Sequence, residues 1–327
     1  MPNHDIITIG ASAGGVEALI KLVAGLPADL PASVFIVQHT APQSRGELAE
    51  VLGYRGVLPV EMAADRREIE RSHVYVAPPD YHLMIDRSYM YITHGPRENL
   101  TRPAVDPLFR SAAVVHGPHV IGVILSGTLD DGAAGLSAIK RCGGLAIVQD
   151  PEDALYPDMP RSAMEVVDVD ASMALGDLPA LLARLAHEPP GAPTAAPVEL
   201  LAEVEMSRSE SGNIGHLNGI GELVPLTCAE CGGPLWQIKD DKMTRFRCRT
   251  GHSFTAKALA AEISDAVERS LWVAVQMMDE RTRTLERLAT TEQEKDRRRS
   301  SASFSDRAAE TREHAERLRK LLLSLNQ

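Results

Sequence analysis

The sequence has no apolar run near the roughly 18 residues that a membrane-spanning helix requires, which argues against membrane insertion. Cysteines are few, four in 327 residues, too sparse for a secreted scaffold held by disulfides. The opening MPNHDIITIGASAGG lacks the basic segment and long apolar core of a signal peptide, so a cytoplasmic protein is expected. Positive charge is also scarce. With 34 Lys+Arg against 45 Asp+Glu the formal net charge is −11, which opposes nucleic acid or anionic lipid as main partner, since both need a positive face to displace counterions. Aromatics make up 4%, but hydrophobic residues reach 44% and charged residues 24%, an ordinary globular balance. The length exceeds what one compact domain usually holds, so two or three units are expected.

From residue 5 to about 187, short β-branched runs alternate with helical stretches, the pattern of a mostly parallel α/β sheet. Ile6-Ile7-Thr8-Ile9 and Val34-Phe35-Ile36-Val37 read as the first strands. Val74-Tyr75-Val76, Val120 to Leu125 and Leu145 to Val148 continue the sheet, and Met84 to Ile92 suggests a hairpin insert. Residues 188–224, opening EPPGAPTAAP and including SRSESGN, read as a linker with one short helix at VELLAEVEM. Residues 225–255 hold a cysteine cluster. Beyond them two apolar stripes at helical spacing, one through Leu259, Ile263, Val267 and Leu271, the other through Ala308, Ala315, Leu318 and Leu322, predict a helical hairpin over 256–327.

Gly10-Ala11-Ser12-Ala13-Gly14-Gly15 lies between a strand and a helix, where a sharp turn would raise the Ser12 hydroxyl above the sheet edge. Dinucleotide binding would want glycine at position 12 and an acid about 20 residues on, whereas the second strand ends in Gln38-His39. A phosphate loop would need Gly-Lys-Ser/Thr, but Val16-Glu17 follows the glycines. The string fits G-x-S-x-G, yet position 12 leaves no room for the strands that precede the elbow in an α/β-hydrolase. A serine nucleophile needs a base and an orienting acid. His39 ends the second strand, and Asp130 and Asp131 follow the strand Val120 to Leu125. Residues just past neighbouring parallel strands converge on one edge, so the three can meet.

The stretches IGASAGGVEAL, VFIVQHT, VYVAPPDYHL, RPAVDPLF, VILSGTLDDGAAGL and GGLAIVQDPEDALYPDMPRSA, in that order, resemble the catalytic domain of the chemotaxis-type protein-glutamate methylesterase (CheB) family. The likeness spans about residues 5–187. It implies a Rossmann-like parallel sheet with helices on both faces, Ser12 as nucleophile, His39 as general base and Asp131 as orienting acid, with Asp130 a bystander. It also implies a substrate-side place for Arg102. This chain has Ala13 where the family usually has threonine, and Gly127-Thr128-Leu129-Asp130-Asp131-Gly132 where the family reads G-M-G-x-D-G. Both departures touch the oxyanion region, which the backbone N–H groups of Ala13 and Thr128 would still supply. Members commonly carry an amino-terminal receiver domain; here the catalytic stretch begins at residue 5, and control is expected from the carboxyl side.

Cys228-x2-Cys231 and Cys248-x3-His252, with 16 residues between the pairs, match the two-knuckle layout of a structural zinc ribbon that leaves no ligand position open. The expected protein is therefore a serine hydrolase that demethylates glutamyl methyl esters of a methylated chemoreceptor or related signalling protein, with glutamine deamidation at the same site implied by the family. A Zn²⁺-holding ribbon and a helical hairpin able to self-associate would follow. The rival expectation is a catalytically weak signalling scaffold acting through its C-terminal half.

Overall fold

The computed structural model describes residues 3–209, 214–240 and 242–325. Contacts divide it into two units, one reaching to Leu259 and one from Ala260 onward.

The first unit is built on β1 (Ile6–Ala11), whose six residues are all buried, as expected of a parallel strand covered on both faces. A turn leads into α1 (Gly15–Gly25), then β2 (Ser33–Gln38), α2 (Leu48–Gly53), β3 (Val60–Met62), β4 (Val74–Val76) and a hairpin of β5 (His82–Ile85) and β6 (Met90–Thr93). Next come α3 (Val105–His116), β7 (Val120–Ile124), α4 (Ala133–Arg141), β8 (Leu145–Gln149), α5 (Asp158–Val166), β9 (Ala171–Met173) and α6 (Leu178–Leu185). The seven-stranded sheet has the order β3-β4-β2-β1-β7-β8-β9, parallel throughout. The edge strands β3 and β9, three residues each, are too short for sequence periodicity to show.

Alternation along β1 sends Ile7, Ile9 and Ala11 into a core with Leu19 and Leu22 of α1 and Leu178 and Leu182 of α6. The opposite face packs Phe35, Val37 and Ile124 on Leu108 and Phe109 of α3 and Leu136 and Ile139 of α4. The chain leaves β1 towards β2 on one side and later returns to β7 on the other, so the strand order reverses at β1. A crevice past the carboxyl ends of β1, β2 and β7 follows from that topology.

The expected linker at 188–224 is corrected over most of its described length. The short helix expected at VELLAEVEM is α7 (Val198–Arg208), and α8 (Ile214–Ile220) adds a second; residues 210–213 of the SRSESGN run lie outside the described residues. In α7, Leu200, Glu203, Met206 and Ser207 are buried. Glu203 is neutralised by Arg245, Nη1 to Oε2 2.7 Å and Nη2 to Oε1 2.8 Å. A face that is half polar escapes a reading based on apolar stripes. The cysteine module follows as an antiparallel sheet of β10 (Gly221–Thr227), β11 (Pro234–Ile238), β12 (Arg245–Cys248) and β13 (Ser253–Thr255), beginning earlier than residue 225.

Two long helices follow, α9 (Ala256–Glu294) and α10 (Arg298–Leu325). Within the second unit they run antiparallel: Ser301 donates to the Ala289 carbonyl at 2.9 Å, and Arg312 pairs with Glu286 and Arg319 with Asp279. Leu285, Ala289, Ala308, Ala315 and Leu322 are buried. No helix among the described residues is long and apolar enough to cross a membrane.

Candidate active site

Ser12 stands directly after β1, in a turn closed by Gly15 N–H to the Ser12 carbonyl at 2.9 Å. Gly14, at φ 71°, is the N-cap that precedes α1, a left-handed position that glycine adopts without strain. Ser12 N–H donates to the Ser126 carbonyl at 3.0 Å, tying the turn to the end of β7. His39 follows β2 and donates its backbone N–H to the Ala11 carbonyl at 3.0 Å. Between them, Gln38 Nε2 donates to the carbonyls of both Ser12 (2.8 Å) and His39 (3.0 Å).

His39 Nδ1 is 3.1 Å from Ser12 Oγ, and His39 Nε2 is 2.7 Å from Asp131 Oδ2. With its proton on Nε2, donating to Asp131, the neutral ring turns the Nδ1 lone pair towards the serine hydroxyl, which makes it a base for that proton. The ring nitrogens thus exchange the parts they play in the chymotrypsin arrangement, while the chain of hydrogen bonds is the same.

Asp131 is 2% exposed. Its Oδ2 also accepts Val105 N–H at 2.6 Å, and Oδ1 accepts Asn99 Nδ2 at 2.8 Å, Gly132 N–H at 2.9 Å and, more loosely, Asp106 N–H at 3.4 Å. Val105 and Asp106 open α3, so the carboxylate sits where unpaired N–H groups and the helix dipole favour negative charge. Burial pushes its pKa up, but the His39 hydrogen bond and these donors outweigh it and hold it below the ordinary value. Asp106 shares the Asn99 amide, Nδ2 to Oδ2 2.9 Å. Its carboxyl is pushed up by burial and by the neighbouring Asp131 charge. Gly10 allows α3 to come this close, because a Cβ there would lie 2.4 Å from Val105 Cγ1.

Asp130 binds elsewhere: its Oδ1 accepts the Thr255 hydroxyl at 2.7 Å, and burial raises its pKa. The backbone N–H groups of Ala13 and Thr128 donate to no acceptor among the described residues. Those of an oxyanion hole must be free in this way. Arg102, the residue expected on the substrate side, lies outside this line of hydrogen bonds. Its guanidinium is taken up by Asp80, Nη2 to Oδ1 2.7 Å, and by the Gly95 carbonyl at 2.6 Å, and none of its bonds reaches Ser12, His39 or Asp131. Gln38, Asn99 and Ser126 are the supporting residues that sequence reasoning missed. Gln38 adjoins His39 and could have been suspected on that ground; Asn99 lies in a polar stretch, Arg97-Glu98-Asn99, with no local signal.

The donor atoms of Cys228, Cys231, Cys248 and His252 lie within 4.8 Å of one another. Cys228 Sγ and Cys248 Sγ are 3.7 and 3.5 Å from His252 Nδ1, and Cys231 Sγ is 3.7 Å from Cys248 Sγ. Zn–S bonds of about 2.3 Å and Zn–N bonds of about 2.0–2.1 Å make tetrahedral edges of roughly 3.5–3.8 Å, so the donor set fits that ion. His252 Nε2 faces Glu230 Oε2 at 3.4 Å, the carboxylate support that metal-binding histidines commonly have.

Residues 7–182, just over half of the chain, match the family model described as CheB methylesterase. A Leptospira interrogans protein provisionally named protein-glutamate methylesterase/protein-glutamine glutaminase is 41% identical over 184 residues, 56% of this chain and 95% of its own length. A Chromohalobacter salexigens protein of that name is 37% identical over 191 residues, 57% of this chain and 54% of its own. The crystal structure of the Thermotoga maritima CheB methylesterase catalytic domain superposes with a TM-score of 0.54 at 32% identity, covering 55% of this chain and 98% of that one. Through its parallel-sheet domain, this chain belongs to the CheB methylesterase family.

Proposed function

We propose that the chain is a protein-glutamate methylesterase, and that Ser12, His39 and Asp131 are its catalytic residues. The observation that carries this reading is the continuous line of hydrogen bonds Ser12 Oγ, His39 Nδ1, His39 Nε2, Asp131 Oδ2, at 3.1 and 2.7 Å. Ser12 Oγ attacks the carbonyl carbon of a glutamyl methyl ester as His39 Nδ1 takes its proton. The carbonyl oxygen, now negative, is met by the N–H groups of Ala13 and Thr128. Collapse of the adduct expels the methoxy group, which leaves as methanol with the proton from His39. Water then enters, gives its proton to Nδ1 and releases the glutamate side chain from Ser12. Asp131 stays ionised throughout and stabilises the imidazolium. A glutamine side chain would react by the same steps with ammonia as leaving group.

The substrate we infer is a methylated chemoreceptor or a related signalling protein, in keeping with the relatives' names, with the reaction in the cytoplasm. A Zn²⁺ ion would be held by Cys228, Cys231, Cys248 and His252 as a structural cross-link, and the C-terminal helices would serve docking or self-association. Arg102, held by Asp80 and the Gly95 carbonyl, would stand on the substrate side and outside the proton relay. Methanol release from methylated receptor membranes, together with covalent labelling by a phosphonate, tests the assignment. Both should occur with the intact chain and neither with Ser12→Ala. A chain that neither labels nor releases methanol would overturn it.

A further inference from the structure

The strand that follows the metal-ligand knuckle runs into the support of Asp131. Cys248 ends β12 and His252 directly precedes β13, and between them the backbone is closed by Cys248 N–H to the His252 carbonyl at 2.9 Å and Gly251 N–H to the Cys248 carbonyl at 3.0 Å. On β13, the Ser253 carbonyl accepts Asn99 N–H at 2.8 Å, and Thr255 N–H donates to Asn99 Oδ1 at 3.0 Å. A side-chain amide has one acceptor end and one donor end. Because Thr255 presents a donor to the oxygen, the NH₂ end of Asn99 must face the two carboxylates, Asp131 and Asp106, and it does so at 2.8 and 2.9 Å. Asn99 itself is held at φ 49°, in the sparsely populated left-handed region, so its geometry depends on partners that over-determine it.

The module is also fixed in place on the parallel-sheet domain. Arg247 Nη2 donates to Glu98 Oε1 at 3.0 Å, Arg110 Nη2 to Glu98 Oε2 at 2.5 Å, and Arg245 grips Glu203. Glu98, Arg110, Glu203 and Arg247 are each 1–2% exposed and Arg245 6%. Buried ion pairs add little net stability over apolar packing, yet any other arrangement would leave a charge unpaired, so they select one register. That register presents β13 to Asn99.

We propose that the Cys₃His module is a positioning element of the Ser12 site. With metal bound, β13 holds the Asn99 amide, and Asn99, as a positioning residue, holds Asp131 in line with His39. Without metal the β12–β13 knuckle loses its cross-link, Asn99 loses its orienting donor, and the His39–Asp131 bond loosens. The inference rests on the hydrolase reading for its catalytic consequence and on the hydrogen bonds alone for its structural one.

The experiment compares the zinc-loaded full-length chain, the chelator-stripped chain, Cys231→Ser and Asn99→Ala. Two readouts are used: kcat and KM on a small activated ester, and the downfield imidazole N–H proton of His39 in ¹⁵N-histidine-labelled protein, with His39→Gln for assignment. Metal loss should lower kcat by about 100-fold, the scale of a displaced catalytic group, with KM little changed, and should broaden or shift the His39 signal. Asn99→Ala should do the same, and stripping metal from that variant should add little, because both changes break one chain of contacts. Losses that multiply independently, or a stripped chain with unchanged His39 signal and kcat, would overturn the proposal. Failure of the hydrolase reading looks different: no ester turnover even with zinc, while the His39 signal still answers to metal.

Discussion

Both oxygens of Asp131 are surrounded by donors: His39 and Val105 at one, Asn99, Gly132 and Asp106 at the other. An amide in its place must turn an NH₂ towards one of these sets whichever way it is flipped. If that set includes His39, the ring must take the tautomer with its proton on Nδ1, pointing at Ser12 instead of accepting from it. Asp131→Asn should therefore lower kcat on a small ester by about 10⁴, the size of the tautomer effect in serine hydrolases, and it should also destabilise the fold. Ser12→Ala and His39→Ala should abolish turnover. Asp130→Asn should change kcat little, since an amide oxygen still accepts the Thr255 hydroxyl. The reverse pattern, with Asp130 indispensable and Asp131 dispensable, would move the orienting role by one residue. These three side chains were legible in the sequence because each stands at the carboxyl end of a strand with a strong local signal. Asn99 was not, since its partners Asp131 and Thr255 are 32 and 156 positions away and no periodicity encodes such a bond.

Helix α7 shows the same limit at the scale of an element. Its buried face is Leu200, Glu203, Met206 and Ser207, and composition alone assigns such a segment to solvent. Arg245 and Arg110 reverse that: burial pushes the Glu203 carboxyl up, but the two guanidinium groups hold it down to about 2. The stability linked to this depressed pKa is present above the ordinary glutamate range, about 4.3, and is lost as pH falls through about 2. Removing the carboxylate by Glu203→Ala leaves Arg245 buried beside Asp240 alone, which should cost about 3–5 kcal/mol in urea unfolding. Joint replacement by Glu203→Leu and Arg245→Met should recover most of the loss; if it does not, the pair matters for more than its charges. The Cys₃His module is an element of similar kind, with a small apolar core of Leu235, Phe246, Phe254 and Leu259, too little to sustain a fold alone. Elemental analysis should find one Zn²⁺ per chain, absent in Cys228→Ser and Cys248→Ser. Those variants should be cut by protease first within the module, and residues 1–187, deprived of Arg247 and β13, should be cut more slowly after it.

For the whole molecule, the place where the chain may be cut follows from where contacts end. A chain stopping near residue 190 retains Ser12, His39 and Asp131 but loses α7 and the ribbon sheet. It would strip Glu98 and Arg110 of Arg247 and Glu203, and Asn99 of Ser253 and Thr255. Such a chain should be poorly stable and slow even on a small ester. A chain ending near residue 265 keeps the first unit complete and should hydrolyse the small ester at the full-length rate. The helical hairpin then becomes the only difference, and Val273, Met277, Leu321 and Leu323 on its surface are exposed. If the hairpin docks a protein substrate or a second copy, the shorter chain should lose activity on methylated receptor membranes or fall in solution mass, while its small-ester rate stays level. Equal rates on both substrates and a mass reduced only by the missing residues would assign the hairpin neither role.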